Sequence, residues 1–190
     1  MKSTPGNSIA ELENQRYPIG PFHWDDQSGS REEWLAVIEA TPDELRRAIS
    51  GLSDPQLDTP YRPDGWTVRQ VVHHYADDHM NSYMRFKLAL TEDAPVIQPY
   101  SEPLWAELPD ARLGPVEPSL ALLAALHQRW VAAWRNLKEE DWSRTFKHPR
   151  RESPVSLEQL ARLYCWHGQH HVAQIRALRR RNGWDGEQAG

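Results

Sequence analysis

The amino-acid sequence predicts an all-α fold: a four-helix bundle with a long crossover loop, preceded by an extended N-terminal arm. Three observations carry this expectation. Four long stretches repeat apolar residues at helical spacing. Capping-box patterns, Ser/Thr followed three residues later by Glu/Gln, fall at Thr41–Glu44, Thr67–Gln70 and Ser156–Gln159. The segments between the periodic stretches are dense in proline and glycine, which break helices.

Residues 1–28 lack periodicity and carry Pro5, Pro18, Gly20 and Pro21, so they read as the extended arm. The bundle is expected over 29–184, with a disordered tail at 185–190. Its first helix runs from Arg31 to about Ser50, and Thr41-Pro42-Asp43-Glu44 inside it makes either two helices or one kinked helix. The second is announced by the Pro63-Asp64-Gly65 turn and continues to about Thr91. Residues 92–116 contain five prolines and cannot form a long helix; a connection of this length leaves room for a crossover. The third helix spans roughly Pro118–Leu137 and the fourth Ser156–Asn182, with Gly183 at the position of a C-terminal capping glycine. Arg144–Val155 is expected to form a short hairpin.

Composition narrows the function. The 190 residues suit one domain, and 22 basic against 27 acidic residues, a net charge of −5, argue against non-specific nucleic-acid binding. The longest apolar run, Leu120–Leu126, is far too short to cross a bilayer, and the polar opening MKSTPGNSIAELENQ does not read as a leader. A cytoplasmic protein with no membrane partner is the expectation. A single cysteine excludes a disulfide framework, and Cys165 reads as a small buried hydrophobe.

The nine histidines carry the chemistry. At about 100° per residue, His167 and His171 fall inside the apolar stripe of the fourth helix, with His170 at its edge. Imidazoles at i and i+4 on one face are able to chelate one ion. On the second helix His74 borders the apolar face and shares a polar stripe with Asp78 and Arg85. His73 and Asp77 fall on the more solvated side, and His79 looks packed. His127 lies on the buried side of the third helix. For His79 and His127 a hydrogen-bonded core role is the simpler reading, and for Arg85 an ion pair is the simpler reading than a substrate clamp. Arg179-Arg180-Arg181 ends a helix, where cations complement the dipole.

The segments GWTVRQVVHHYADDHMNSYMRFKLALTED (65–93), LHQRWVAAW (126–134) and YCWHGQHHVAQI (164–175) resemble the YfiT subfamily of the DinB superfamily. YPIG (17–20), GLSDPQLDTPYRPDGW (51–66) and His148-Pro149 fit the same pattern. The resemblance implies a DinB-type bundle and one divalent metal ion per subunit, zinc or nickel, on His74, His167 and His171. It also implies a homodimer and a metal-dependent hydrolase acting on a small molecule. A low-molecular-weight thiol transferase of the bacillithiol type and a non-catalytic metal-holding stress protein are the alternatives. Two positions depart from the family pattern: Asp78 stands in His74-Tyr75-Ala76-Asp77-Asp78-His79 where HLADSH is usual, and Gln174 stands where relatives often have a further histidine. Asp78, one turn beyond His74, is expected to add a carboxylate near the metal or to orient a ligand. Three imidazoles leave a tetrahedral ion one open position, at which water is acidified or a thiol bound as thiolate. Asp78, Arg85 and His127 are the candidates for direct participation.

Overall fold

The structure, a computed structural model, describes residues 8–185. The first seven residues of the expected arm, and the expected disordered tail beyond Asp185, lie outside the described residues. The arm is not extended throughout. It opens with α1 (Ile9–Arg16), started by a capping box in which Ser8 Oγ accepts from the Glu11 amide and the Glu11 carboxylate accepts from the Ser8 amide at 2.6 Å. This helix buries no residue of its own, which is why it leaves no apolar periodicity in the sequence. Residues 17–30 are irregular.

Four long helices build the bundle: α2 (Arg31–Ile49), α4 (Val68–Thr91), α7 (Glu117–Arg135) and α8 (Leu157–Asn182). The connections hold α3 (Asp54–Leu57), α5 (Glu102–Ala106), α6 (Pro109–Leu113) and a two-stranded antiparallel hairpin, β1 (Thr145–Phe146) with β2 (Val155–Ser156). The capping boxes at Thr67 and Ser156 form, and Gly183 closes α8 with φ of 65°. Despite Pro42, α2 is one continuous helix.

Side-chain pairings fix the topology. His73 meets Ser119 and Phe86 packs against Trp134, so α4 and α7 run parallel. Arg31 pairs with Glu158 and Arg179 donates to the Ala48 carbonyl, so α2 and α8 also run parallel. Tyr75 donates to the Gly168 carbonyl and His79 meets His167, which makes α4 antiparallel to α8. A chain leaving α4 must travel back along the bundle to start a parallel neighbour, and residues 92–116 make that crossover.

The crossover also covers α4. Gln70 Nε2 donates to the Ala106 carbonyl at 2.7 Å, and the His73 ring bonds Ser119 Oγ at 2.8 Å and the Gly114 carbonyl at 3.3 Å. His73, expected on a solvated side, is therefore buried; the helix wheel shows a face but not the loop that returns over it.

The apolar core divides in two. Ile38, Phe86, Trp130, Trp134, Leu157 and Leu160 pack around one end, and Leu45, Val71, Leu120, Leu123, Ile175 and Leu178 around the other. His74, His79, His127, His167 and His171 form a polar layer near the middle of the helices.

Candidate metal centre

His74 from α4 and His167 and His171 from α8 converge, each offering one ring nitrogen, with the three atoms within 4.8 Å of one another. His74 and His171 are buried and His167 nearly so. Burial pushes all three imidazoles below their ordinary pKa. Neighbouring rings add to this at His167 and His171, while Asp78 and Glu102 oppose it at His74. All three are neutral at pH 7, the state in which imidazole ligates a metal. Trp66 packs on the His74 ring with centroids 4.6 Å apart.

The hydrogen bonds behind the ligands decide which nitrogens face the site. His127 Nδ1 lies 2.6 Å from the Ile38 carbonyl, which only accepts, so His127 Nδ1 carries a proton. Burial pushes the His127 pKa down to about 4, leaving the ring neutral and its Nε2 an acceptor. That nitrogen accepts from His79 Nδ1 at 2.7 Å. His79, also neutral through burial, accepts in turn at Nε2 from His167 Nδ1 at 3.1 Å. The chain of partners therefore leaves a lone pair on His167 Nε2. On the other ligand, Gln174 Nε2 donates to the Arg16 carbonyl at 2.8 Å, which orients the amide. Gln174 Oε1 then accepts from His171 Nδ1 at 2.7 Å, again freeing Nε2. Such outer contacts fix the tautomer and ring orientation of metal-binding histidines.

Pro42 supplies the far end of this chain. A residue with an N–H at position 42 would donate to the carbonyl of Ile38; proline has none, and His127 takes the vacant acceptor.

Asp78 closes the near side. Its Oδ2 lies 3.5 Å from His167 Nε2 and accepts from Tyr164 Oη at 2.7 Å, while Oδ1 accepts from Tyr100 Oη at 3.1 Å. Burial pushes both phenols far above their usual pKa, so they remain donors. A lone pair on His167 Nε2 facing the Asp78 carboxylate at this distance is stable only with a cation or a donor between them. The residues thus fit a divalent ion on donor chemistry as well as on spacing.

His74, His167 and Asp78 border one end of a cavity of about 340 Å³, whose walls include Trp24, Arg85, Glu102, Phe146 and Arg151. Of the sequence candidates, His74, His167, Asp78 and Arg85 line this cavity, and His171 joins the first two in the histidine cluster behind it. His127 does not line this cavity; it stands behind His79 as support. Arg85 makes no ion pair among the described residues, contrary to the simpler expectation for it. Cys165 is half-buried and burial pushes its thiol up to about 11, so it is not a nucleophile. Tyr100, Trp24 and Arg151 escaped the sequence reading because they come from aperiodic connections. The Ser8–Glu11 capping box was the available signal for the α1 end that holds Gln174.

The model of the DinB superfamily matches residues 29–175. A relative from Bacillus subtilis (strain 168), YfiT, is 49% identical over 174 residues, covering 90% of this chain and 97% of its own. One from Geobacillus kaustophilus (strain HTA426) is 48% identical over 178 residues, covering 93% and 100%. Both carry the provisional name of metal-dependent hydrolase. The solved structure of YfiT superposes with a TM-score of 0.86, covering 90% of this chain and 99% of the other; it is described as a probable metal-dependent hydrolase with an unusual four-helix bundle topology.

Proposed function

This chain is a member of the DinB superfamily, and we propose that it is a hydrolase of small molecules dependent on one zinc or nickel ion held by His74, His167 and His171. The observation that carries the reading is the convergence of three neutral imidazoles, two of which line a cavity. Three protein ligands leave a coordination position for water or substrate, the arrangement of catalytic rather than structural sites. A bound divalent ion supplies Lewis-acid polarisation and acidifies water.

The protein's own groups do the rest. Asp78, beside the ligand atom of His167, is placed to take the proton of the attacking water. Tyr100 and Tyr164 hold its two oxygens in place, so the acceptor needs no reorganisation when the proton arrives. Tyr75 and Trp66 pack against the ligand rings and keep bulk water from that side.

Metal analysis of freshly purified protein is the first test, with about one zinc or nickel per chain expected and none in His167→Ala. Ester and amide cleavage is then measured on the loaded protein with and without bacillithiol. Cleavage without thiol that disappears in His167→Ala supports hydrolysis; conjugation to an electrophile only when thiol is present overturns it in favour of transfer. Asp78→Asn is expected to keep the metal and lose about 100-fold or more in rate, the usual weight of a positioned base.

A further inference from the structure

The cavity beside the ligands carries a second kind of chemistry. Arg85, Arg150 and Arg151 all line it, on a chain whose net charge is −5. Arg85 is half-buried and has neither a hydrogen bond nor an ion pair among the described residues; its guanidinium carbon lies 6.0 Å from the Tyr100 ring centre. Arg151 is half-buried too, stacked 3.5 Å above the Trp24 ring, and its Nε is buried with no partner. Arg150 is exposed and only loosely paired, 3.7 Å from Glu102. Arg69, buried on the same helix as Arg85, is by contrast paired with Asp54 at 2.9 Å and Asp58 at 2.6 Å. Two half-buried guanidinium groups without a carboxylate give up hydration and get no ion pair in return, a cost that an anionic ligand would offset.

The placement of these groups defines the ligand. Arg85 is rooted about 10 Å along α4 from Asp78, since seven residues separate them on one helix. Phe146, Val155 and Leu160 form an apolar wall of the same cavity. The wall's arginines outnumber the carboxylates of Asp78 and Glu102, and a divalent ion on the neighbouring imidazoles would add to the positive side, a balance suited to an anionic ligand.

Resting on the metal-centre reading above, we propose that the cavity takes a substrate bearing a carboxylate. Arg85 and Arg151 bind the carboxylate, a short apolar segment lies along the Phe146 wall, and the reacting group reaches the imidazoles. Planar guanidinium groups match a carboxylate with paired hydrogen bonds, and Trp24 holds the Arg151 plane flat.

The test uses cobalt(II)-loaded protein and two thiols of equal length, 6-mercaptohexanoate and the neutral 6-mercaptohexanamide, read through thiolate-to-cobalt charge-transfer absorption. The wild type is expected to bind the acid about tenfold or more tightly than the amide, the weight of a charged hydrogen bond. In Arg85→Gln and Arg151→Gln, which remove the charge but keep a polar side chain, that preference falls toward unity while amide affinity stays unchanged, an internal control for folding. Equal affinity of wild type for acid and amide, or a preference that survives in the double variant, overturns the proposal. A cobalt spectrum that neither thiol alters overturns the open coordination position itself and the proposal with it, so the two failures are distinguishable.

Discussion

His127 shows how a buried residue outside the cavity serves the site. Its Nδ1–H bonds a carbonyl that Pro42 leaves without a helical donor, and its Nε2 orients His79, which orients His167. Free imidazole favours the proton on Nε2, so three neighbouring rings protonated on Nδ1 form a distinctive spectroscopic pattern. Two-bond ¹H–¹⁵N correlation spectra of the metal-free protein are expected to show the Nδ1–H tautomer at His79, His127 and His167; an Nε2–H form at His79 would sink the chain. Replacing His127 by Phe keeps much of the volume but strands the His79 Nδ1–H, costing about 1–3 kcal/mol of stability. Metal affinity, measured against a competing chelator, is expected to fall by at most about 10-fold, the lower end for a direct partner of a metal-binding histidine, since His127 acts through His79.

At the scale of elements, the position of α8 against α2 depends on Gly168, which sits between two of the ligands. A Cβ there would meet Thr41 Oγ1 at 2.5 Å and Cγ2 at 3.2 Å. Thr41 Oγ1 is held by the Val37 carbonyl at 2.8 Å and so does not rotate away freely. Gly168→Ala is therefore expected to push the two helices apart at a cost of about 1–3 kcal/mol, as overpacked cores do. The shift also carries His167 and His171 away from His74 and weakens metal binding. Thr41→Ala, which removes the two clashing atoms, is expected to restore both stability and metal affinity in the double variant. Denaturant midpoints and metal titrations of the two single variants and the double one check this; additive losses would refute it.

The whole molecule places a layer of neutral histidines inside an apolar core, and acid should therefore unfold the metal-free protein. Burial pushes His127 and His170 down to about 4 from 6.5. Between those values the unfolded chain binds protons that the folded one refuses, so stability is fully present above about pH 6.5 and is lost as the pH falls toward 4. Each such histidine contributes a slope of about 1.4 kcal/mol per pH unit over this window. Urea midpoints of metal-free protein at pH 7, 6 and 5 are expected to fall steadily, and less steeply in His127→Phe; a flat profile would contradict burial of neutral rings.

Capping boxes, helical spacing and the i, i+4 histidine pair are local properties, governed by hydrogen bonds and side-chain contacts within one helix. The long helices, the room for a crossover and the inward turn of His167 and His171 were therefore legible in the sequence, whereas His74 only bordered the apolar face and joined them through the family resemblance. Helix α1, with its exposed surface, left no periodic trace. The burial of His73, the tautomer chain running back to Ile38 and the meeting of Arg85 with Arg151 at one cavity arise from segments far apart in sequence that meet only when the helices assemble. Burial and the geometry of partners across the bundle set protonation and charge balance, and those are decided by packing rather than by any stretch of chain.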